Sequence, residues 1–513
     1  MGLRPGVAHE RSSGAVRRPC EAPRLAANTT TTMPALTPAI QVNNAVAAAR
    51  GALAPWAATP LDDRIAALSR FVAQLEQHRQ SLAQCISRET GKPLWESLAE
   101  VALMIAKLPV SIQAYHQRCA TLDVPLGASP QARPCSSSSL AGINPLPHPN
   151  QPTAQARFRP HGVVAVFGPF NMPGHIPNGH ITPALLAGNT VIFKPSEKTP
   201  AVAQLTLELW QAAGLPPGVI NLLQGGRDTG VALCQHPGID GIFFTGGTAA
   251  GLAIRQALAK RPNAILALEM GGNNPLVVHE VSDLDAAALE TIQSAYITAG
   301  QRCTCARRLI VPDGAGGDAF IQRLMKMIPR VRVGAWNDDP APFMGPVISA
   351  DAADQLLATQ DDLLKRGAHA LAPMQRLALG PAFLSPGLID VTAIPDRRDE
   401  EHFGPLLQLI RVPDFDAAIV EANNTQFGLA AGLFCDDSTL WQRFYQHIRA
   451  GVINWNRQTT NASGKLPFGG TGHSGNHRPS GAFAADYCSY PVASLELGRL
   501  TTPSTWPTGI EKM

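Results

Sequence analysis

Cys303 lies in the stretch Gly300-Gln301-Arg302-Cys303-Thr304-Cys305, with Arg307 and Arg308 close behind it. A thiol among cations sits in positive potential, which favours the thiolate; an ordinary cysteine titrates at about 8.5 and falls by a unit or more in such surroundings. A thiolate there is a candidate nucleophile. The same hexapeptide also suits the commoner use of cysteine as a small buried hydrophobe. A second stretch about thirty residues upstream favours chemistry: Leu268-Glu269-Met270-Gly271-Gly272-Asn273-Asn274-Pro275 places a carboxylate in an apolar, glycine-rich setting where it can act as a base.

A nucleophile and a base must be held by regular elements, and the chain after residue 158 supplies an alternating series. Short apolar runs at residues 163–167, 190–194, 219–223, 241–245 and 264–268 read as strands. Helical patterns at 178–187, 201–213, 229–234 and 249–259 fall between them. Strands alternating with helices specify a parallel sheet covered on both faces, the doubly wound α/β arrangement that binds nucleotides at strand C-termini.

Gly470-Thr471-Gly472-His473-Ser474-Gly475 is the only Gly-x-Gly-x-x-Gly match. It lies far beyond the alternating segment and has no strand–turn–helix setting, so it is set aside as a dinucleotide fingerprint. Instead the strand at 190–194 runs into Lys194-Pro195-Ser196-Glu197, where a lysine and a glutamate can hold ribose hydroxyls. Glu197 would also repel a 2′-phosphate, favouring NAD over NADP. Thr245-Gly246-Gly247-Thr248 opens a helix, where free N–H groups attract phosphate. Either segment also reads as plain turn chemistry.

With 513 residues the chain exceeds one compact core, so two or three domains are expected. Its 45% hydrophobic and 16% charged content describes a globular protein with a generous core. A net charge of +3 gives no support to nucleic-acid binding. No apolar run approaches the roughly 20 uninterrupted residues of a membrane span. Nine scattered cysteines make no disulfide framework and fit a reducing cytoplasm, and Cys303 and Cys305 lack the second ligand pair that a zinc site needs.

Residues 1–37, arginine-rich and acid-poor, read as a disordered extension; a transit peptide and a true start at Met33 stay open. Thr59 is expected to cap a helix with Pro60 in its first turn and Asp62 and Asp63 near its positive end. Leu61, Ile65, Leu68, Phe71, Val72 and Leu75 share one face, and the helix is expected to run to Thr90-Gly91-Lys92-Pro93. Another helix is expected over 94–115. Residues 126–155, with a serine run and six prolines, read as a flexible insertion or an exposed hairpin tip.

Seven phrases, in order, resemble the aldehyde dehydrogenase superfamily: Gly168-Pro169-Phe170-Asn171-Met172-Pro173, Phe193 to Glu197, Phe244-Thr245-Gly246, Glu269-Met270-Gly271-Gly272, Gly300-Gln301-Arg302-Cys303, Glu401-His402-Phe403-Gly404-Pro405 and Pro467-Phe468-Gly469-Gly470. The resemblance spans roughly residues 40–497. It implies a Rossmann-type NAD domain over 38–125 and 158–269, an oligomerisation hairpin over 126–157, an α/β catalytic domain over 270–470, a returning oligomerisation strand within 471–498, and a tail over 499–513. It further implies a cytoplasmic homodimer or higher homo-oligomer acting on a small aldehyde, with no nucleic-acid, membrane or metal partner.

The implied chemistry has Cys303 attack the aldehyde, Asn171 and the Cys303 N–H hold the alkoxide, and Glu269 activate water to hydrolyse the thioester. NAD would be held by Phe170, Lys194, Ser196, Glu197, Gly225, Gly246, Gly251, Glu401 and Phe403. Read alone, Asn171 can equally cap a turn, and Glu401 can be a solvated member of the run Asp399-Glu400-Glu401.

Pro173-Gly174-His175 continuing to Asn178-Gly179-His180, Gly272 to Pro275, Cys303 to Arg308 and Ser474 to Ser480 are similar to the branch that oxidises N-succinylglutamate 5-semialdehyde in arginine catabolism. Arg302, Arg307, Arg457 and Arg478 are then candidates to meet its carboxylates. Gly247 departs from a usual serine, Met172 from a usual phenylalanine, and residues 457–465 are more polar than usual. Competing readings are an acylating enzyme that uses coenzyme A, against which Glu269 argues, a dehydrogenase of succinate semialdehyde or another semialdehyde, and a non-catalytic protein on the same fold.

Overall fold

The computed structural model describes residues 38–125, 153–502 and 505–511. The extension 1–37 and most of the serine–proline insertion fall outside them.

Five parallel strands form the first sheet, in the order Ile220–Leu222, Thr190–Lys194, Val163–Phe167, Gly241–Gly246, Ile265–Met270. Every residue of the two strands Val163–Phe167 and Thr190–Lys194 is buried, as helices on both faces require. The chain leaves Val163–Phe167 to one side first and returns on the other with Gly241–Gly246. That reversal opens a crevice at the strand C-termini, where doubly wound sheets take ligands.

The second sheet has seven strands, in the order His369–Ala372, Gly387–Asp390, Leu406–Val412, Ala306–Pro312, Asn274–Val278, Ala430–Phe434, Val452–Trp455. Only the first pair is antiparallel. A large aliphatic core including Leu276, Leu309, Leu407 and Leu433 packs about it. A third, small sheet pairs Thr153–Pro160 with both Leu122–Pro125 and Ser489–Glu496. Thr153 to Gln155, expected within the insertion, therefore belong to a strand.

The α-helical region before the first sheet differs from expectation in three ways. A helix over Pro38–Ala58 precedes it and buries Val42, Val46 and Ala49 against the first sheet. Thr59 does not cap the next helix; its hydroxyl donates back to Pro55 O at 3.0 Å, and Pro60 occupies the cap position. The single helix expected over 61–90 is two, Leu61–Gln77 and Arg79–Thr90, broken at His78, whose φ of −102° and ψ of 15° leave the helical range. The break lets Phe71 and Leu75 from one piece and Leu82, Ala83 and Ile86 from the other share one core. Gly91, at φ 76°, closes the second piece as a left-handed cap.

Leu94–Arg118 is the one described helix long and apolar enough to cross a membrane by length and composition. It instead buries Glu96, Glu100 and Lys107 within the protein, each with a polar partner.

Candidate active site

A cavity of about 1150 Å³ opens at the C-termini of the first sheet and runs to the second. It exceeds the usual span of small-ligand pockets, roughly 300–1,000 Å³, and suits an elongated two-part ligand. Phe170, Asn171, Lys194, Ser196, Glu197, Gly246, Glu269, Cys303, Glu401 and Phe403 all line it. Gly225 and Gly251 do not. Gly225, at φ 146°, would drive a Cβ to 2.1 Å from Thr229 Oγ1, and a Cβ on Gly251 would lie 2.4 Å from Met270 Sδ. Their smallness serves the packing of the helices behind the cavity. Gly226, which the sequence reading passed over, lines it instead.

Glu269 is the penultimate residue of the edge strand Ile265–Met270 of the first sheet, and Cys303 lies on the loop before the strand Ala306–Pro312 of the second. Tertiary folding brings Cys303 Sγ to 3.4 Å from Glu269 Oε1, while Thr245 Oγ1 donates to Glu269 Oε2 at 3.2 Å. Glu269 is 2% exposed. Burial pushes its pKa up to about 7, and the bonds from Cys303 and Thr245 hold it from rising further. A carboxylate titrating there is poised for proton exchange near neutral pH.

The expectation that arginines stabilise a Cys303 thiolate is overturned. Burial first, then the negative fields of Glu269 and Glu401, push the thiol well above its ordinary range. The three guanidinium groups are directed elsewhere. Arg302 donates to Glu96 Oε1 and Thr298 Oγ1, each at 2.8 Å. Arg307, fully buried, donates to Gly300 O at 2.6 Å and Arg302 O at 2.9 Å and lies 3.5 Å from Glu401. Arg308 donates to Asn273 O, Glu421 O and Ala422 O. The shift favours the neutral thiol, and the carboxylate within reach of its proton is Glu269.

These contacts shape the loop. Thr298 and Ala299, at φ 57° and 52°, precede Gly300 at φ 70°, so three left-handed residues lead into Cys303. Left-handed backbone costs a non-glycine residue about 1–2 kcal/mol, offset here by the Arg302–Thr298 bond and the Arg307 bonds. A Cβ on Gly300 would lie 2.1 Å from Gly404 O. Asn274, at the start of the neighbouring strand, donates to Cys303 O at 2.7 Å and Cys305 O at 2.8 Å and accepts from Ala430 N. No sequence spacing announced that clamp.

Asn171, 5% exposed, follows the central strand Val163–Phe167 in a loop that enters the helix His175–Leu186. Glu100 accepts from Gly174 N and His175 N at 2.8 and 3.0 Å, capping that helix with a carboxylate from another element, where the helix dipole favours one. Lys92 neutralises Glu100.

The polar lining fits a dinucleotide. Lys194 Nζ, almost buried, donates to Pro195 O and keeps further N–H capacity at the cavity. Gly247 precedes the helix Thr248–Ala257, whose exposed N-terminus faces the cavity, and open space surrounds its missing Cβ, so the usual serine would fit. Glu401 is not a solvated member of its acidic run. It is 14% exposed, and its Oε1 is buried without a hydrogen-bond partner. A Cβ on Gly271 would lie 1.7 Å from Glu401 Oε2, so glycine is needed there. Phe403 meets Phe170 edge to face at 5.9 Å.

The glycine-rich run after Gly470 packs against the edge of the first sheet. Gly475 bridges to Glu269 along the edge of the first sheet, Asn476 Oδ1 accepts from Leu268 N at 2.7 Å, and Ser474 Oγ donates to Gly271 O at 2.8 Å. It secures the strand that carries the candidate base and covers its edge. Of the arginines considered for substrate carboxylates, Arg307 is consumed by the loop, Arg478 donates to Gly470 O, and Arg457 is exposed.

The family model described as the aldehyde dehydrogenase family matches residues 11–491. The chain is 55% identical over 472 residues, 92% of each protein, to the N-succinylglutamate 5-semialdehyde dehydrogenase of Ectopseudomonas mendocina (strain ymp). It is 54% identical over 473 residues, again 92% of each, to the protein of the same name in Pseudomonas fluorescens (strain Pf0-1). Among solved structures it is similar to NADP-dependent glyceraldehyde-3-phosphate dehydrogenase from Bacillus halodurans C-125 complexed with NADP. That match has a TM-score of 0.79 and 28% identity, covering 90% of this chain and 92% of that one.

Proposed function

This chain belongs to the aldehyde dehydrogenase family, and from that premise we propose that it oxidises N-succinylglutamate 5-semialdehyde to N-succinylglutamate with NAD. The observation that carries the chemistry is the 3.4 Å contact of Cys303 Sγ with Glu269 Oε1 at the inner end of a dinucleotide-sized cavity. The substrate rests on the two relatives of that name at 55% and 54% identity.

Glu269 takes the thiol proton as the sulfur adds to the aldehyde carbon, forming a thiohemiacetal on Cys303. Asn171 and the Cys303 N–H hold the alkoxide; losing one such donor typically costs about 10²–10³ in rate. When bound, the nicotinamide accepts the hydride from that carbon. Once Glu269 has given the thiol proton up to solvent, the thioester left on Cys303 is hydrolysed by water whose proton passes to Glu269, a role worth about 10²–10⁴. Lys194, Ser196 and Glu197 would hold the adenosine ribose, the start of the helix Thr248–Ala257 would meet the pyrophosphate, and Glu401 with Phe403 and Phe170 would orient the nicotinamide end. The exposed carboxylate of Glu197 opposes a 2′-phosphate, which supports NAD.

We infer that the three-stranded sheet pairs with further copies of the chain, and the seven free cysteines among the described residues fit a reducing cytoplasm. Initial rates of NAD and NADP reduction with N-succinylglutamate 5-semialdehyde and with succinate semialdehyde test the reading. A clear preference for the first aldehyde with NAD is expected. Equal or reversed preference refutes the substrate assignment, and faster NADP reduction refutes the cofactor assignment.

A further inference from the structure

Behind Glu269 lies a buried polar chain that the reaction as described does not use. Thr245, besides contacting Glu269, stands 3.1 Å from Nε2 of His180, a residue 1% exposed on the helix His175–Leu186. The other ring nitrogen, Nδ1, is 2.8 Å from the hydroxyl of Tyr487, which in turn donates to Pro479 O at 2.7 Å. Phe243 and Tyr487 flank the ring, so it cannot move aside.

Each hydroxyl in this chain has one hydrogen, and a neutral imidazole has one N–H. With Glu269 protonated, its hydrogen can go to Thr245 Oγ1, Thr245 donates to His180 Nε2, Nδ1–H donates to Tyr487, and Tyr487 keeps its bond to Pro479 O. With Glu269 ionised, the carboxylate needs the Thr245 hydrogen. Thr245 then accepts from Nε2–H, and the bare Nδ1 takes the Tyr487 hydrogen at the expense of Pro479 O. Both arrangements keep the ring neutral, and they differ in which nitrogen bears its hydrogen.

We propose that His180 is a positioning residue for the base, its tautomer following the protonation of Glu269 through Thr245 and so setting the pH at which Glu269 ionises. The proposal rests on the reading of Glu269 as the base. Neutrality has an independent cause: burial, helped by the positive charge of Lys107 on the helix Leu94–Arg118, holds the imidazole down at about 3. Lys107, Tyr487 and, through Thr245, Glu269 are the titratable groups that face the ring; Cys488 lies against Lys107 and Tyr487, and Cys303 beyond Glu269.

The test is the pH dependence of acyl-enzyme hydrolysis, followed by decay of a labelled thioester on Cys303 in the enzyme with its cofactor. With His180 in place, ionising Glu269 costs the Tyr487–Pro479 bond; His180→Phe keeps that bond in both states. Removing the cost of one such bond moves the midpoint down by about 0.7 pH unit. Thr245→Val leaves His180 in place but removes the direct donor to the ionised carboxylate, so its midpoint moves up. The double variant shifts no further than Thr245→Val alone, since the ring acts only through that hydroxyl. His180→Gln, which offers Thr245 an N–H and Tyr487 an oxygen, restores the wild-type midpoint.

A lower rate with unmoved midpoints in His180→Phe and Thr245→Val, or additive shifts in the double variant, overturns the proposal. If His180→Phe does not fold, Thr245→Val and His180→Gln decide it: an unmoved midpoint in the first, or one displaced from the wild-type value in the second, overturns it. Glu269→Gln separates the two ideas: hydrolysis persisting in that variant sinks the base assignment itself. Hydrolysis lost there, with midpoints unmoved in the His180 and Thr245 variants, sinks only the role of His180.

Discussion

Replacing Glu269 by glutamine tests the site through rate and stability together. The folded carboxyl titrates at about 7 against an ordinary 4.5, chiefly because it is buried. In the rate, hydrolysis should rise about tenfold per pH unit below 7 and level off above it. In stability, the raised folded value means that the Glu269 contribution is fully present below about 4.5 and is lost as pH rises through about 7. A displacement of roughly 2.5 units at about 1.36 kcal/mol each sets an upper figure of ~3 kcal/mol by pH 8 and above. Glutamine removes the titration. The variant should lose about 10²–10⁴ in hydrolysis at pH 8. Its thermal midpoint should gain on the parent's steadily between pH 5 and pH 8. Single-turnover decay of the thioester and thermal scans across that range are the assays. A midpoint difference that stays flat with pH, or hydrolysis with the parent's pH limb, refutes the reasoning.

Gly271→Ala forces the Glu401 carboxylate aside, since the new Cβ would lie 1.7 Å from Oε2. Cofactor Kd, read by fluorescence titration, should rise about tenfold or more, the worth of a charged hydrogen bond, and an unchanged Kd refutes the role of Glu401. Asn274→Ala frees the carbonyls of Cys303 and Cys305. A stability loss of about 2–3 kcal/mol with a lower kcat is expected, and a thermal midpoint equal to the parent's contradicts the clamp. Cys303→Ala should abolish aldehyde oxidation while leaving cofactor Kd within about twofold; residual turnover at the parent rate refutes the nucleophile.

The alternating strands and helices between residues 163 and 270 were legible because parallel strands buried on both faces must be apolar throughout, and Thr190–Lys194 reads that way without its neighbours. The candidate residues Cys303, Glu269, Asn171 and Glu401 were legible through motifs. Partners far apart in sequence were not. Asn274, Arg308 and Glu100 act on carbonyls and N–H groups that come near only after folding, and nothing in a side chain's type states which carbonyl it will meet. The break at His78 escaped for a similar reason: the apolar face continues through it, and the turn is set by the shared core.

The amino-acid order alone determined the doubly wound half, the likeness to a family, and the residue types available for attack and proton transfer. The tertiary structure alone decided their charge states. Three arginines beside Cys303 suggested a thiolate, but their guanidinium groups bond to Glu96 and to backbone carbonyls. The sulfur, half-buried at the cavity wall, faces two carboxylates, and burial with their fields pushes its titration up and favours the thiol. Electrostatic potential depends on where charges point and on how much water surrounds them. Sequence adjacency fixes neither.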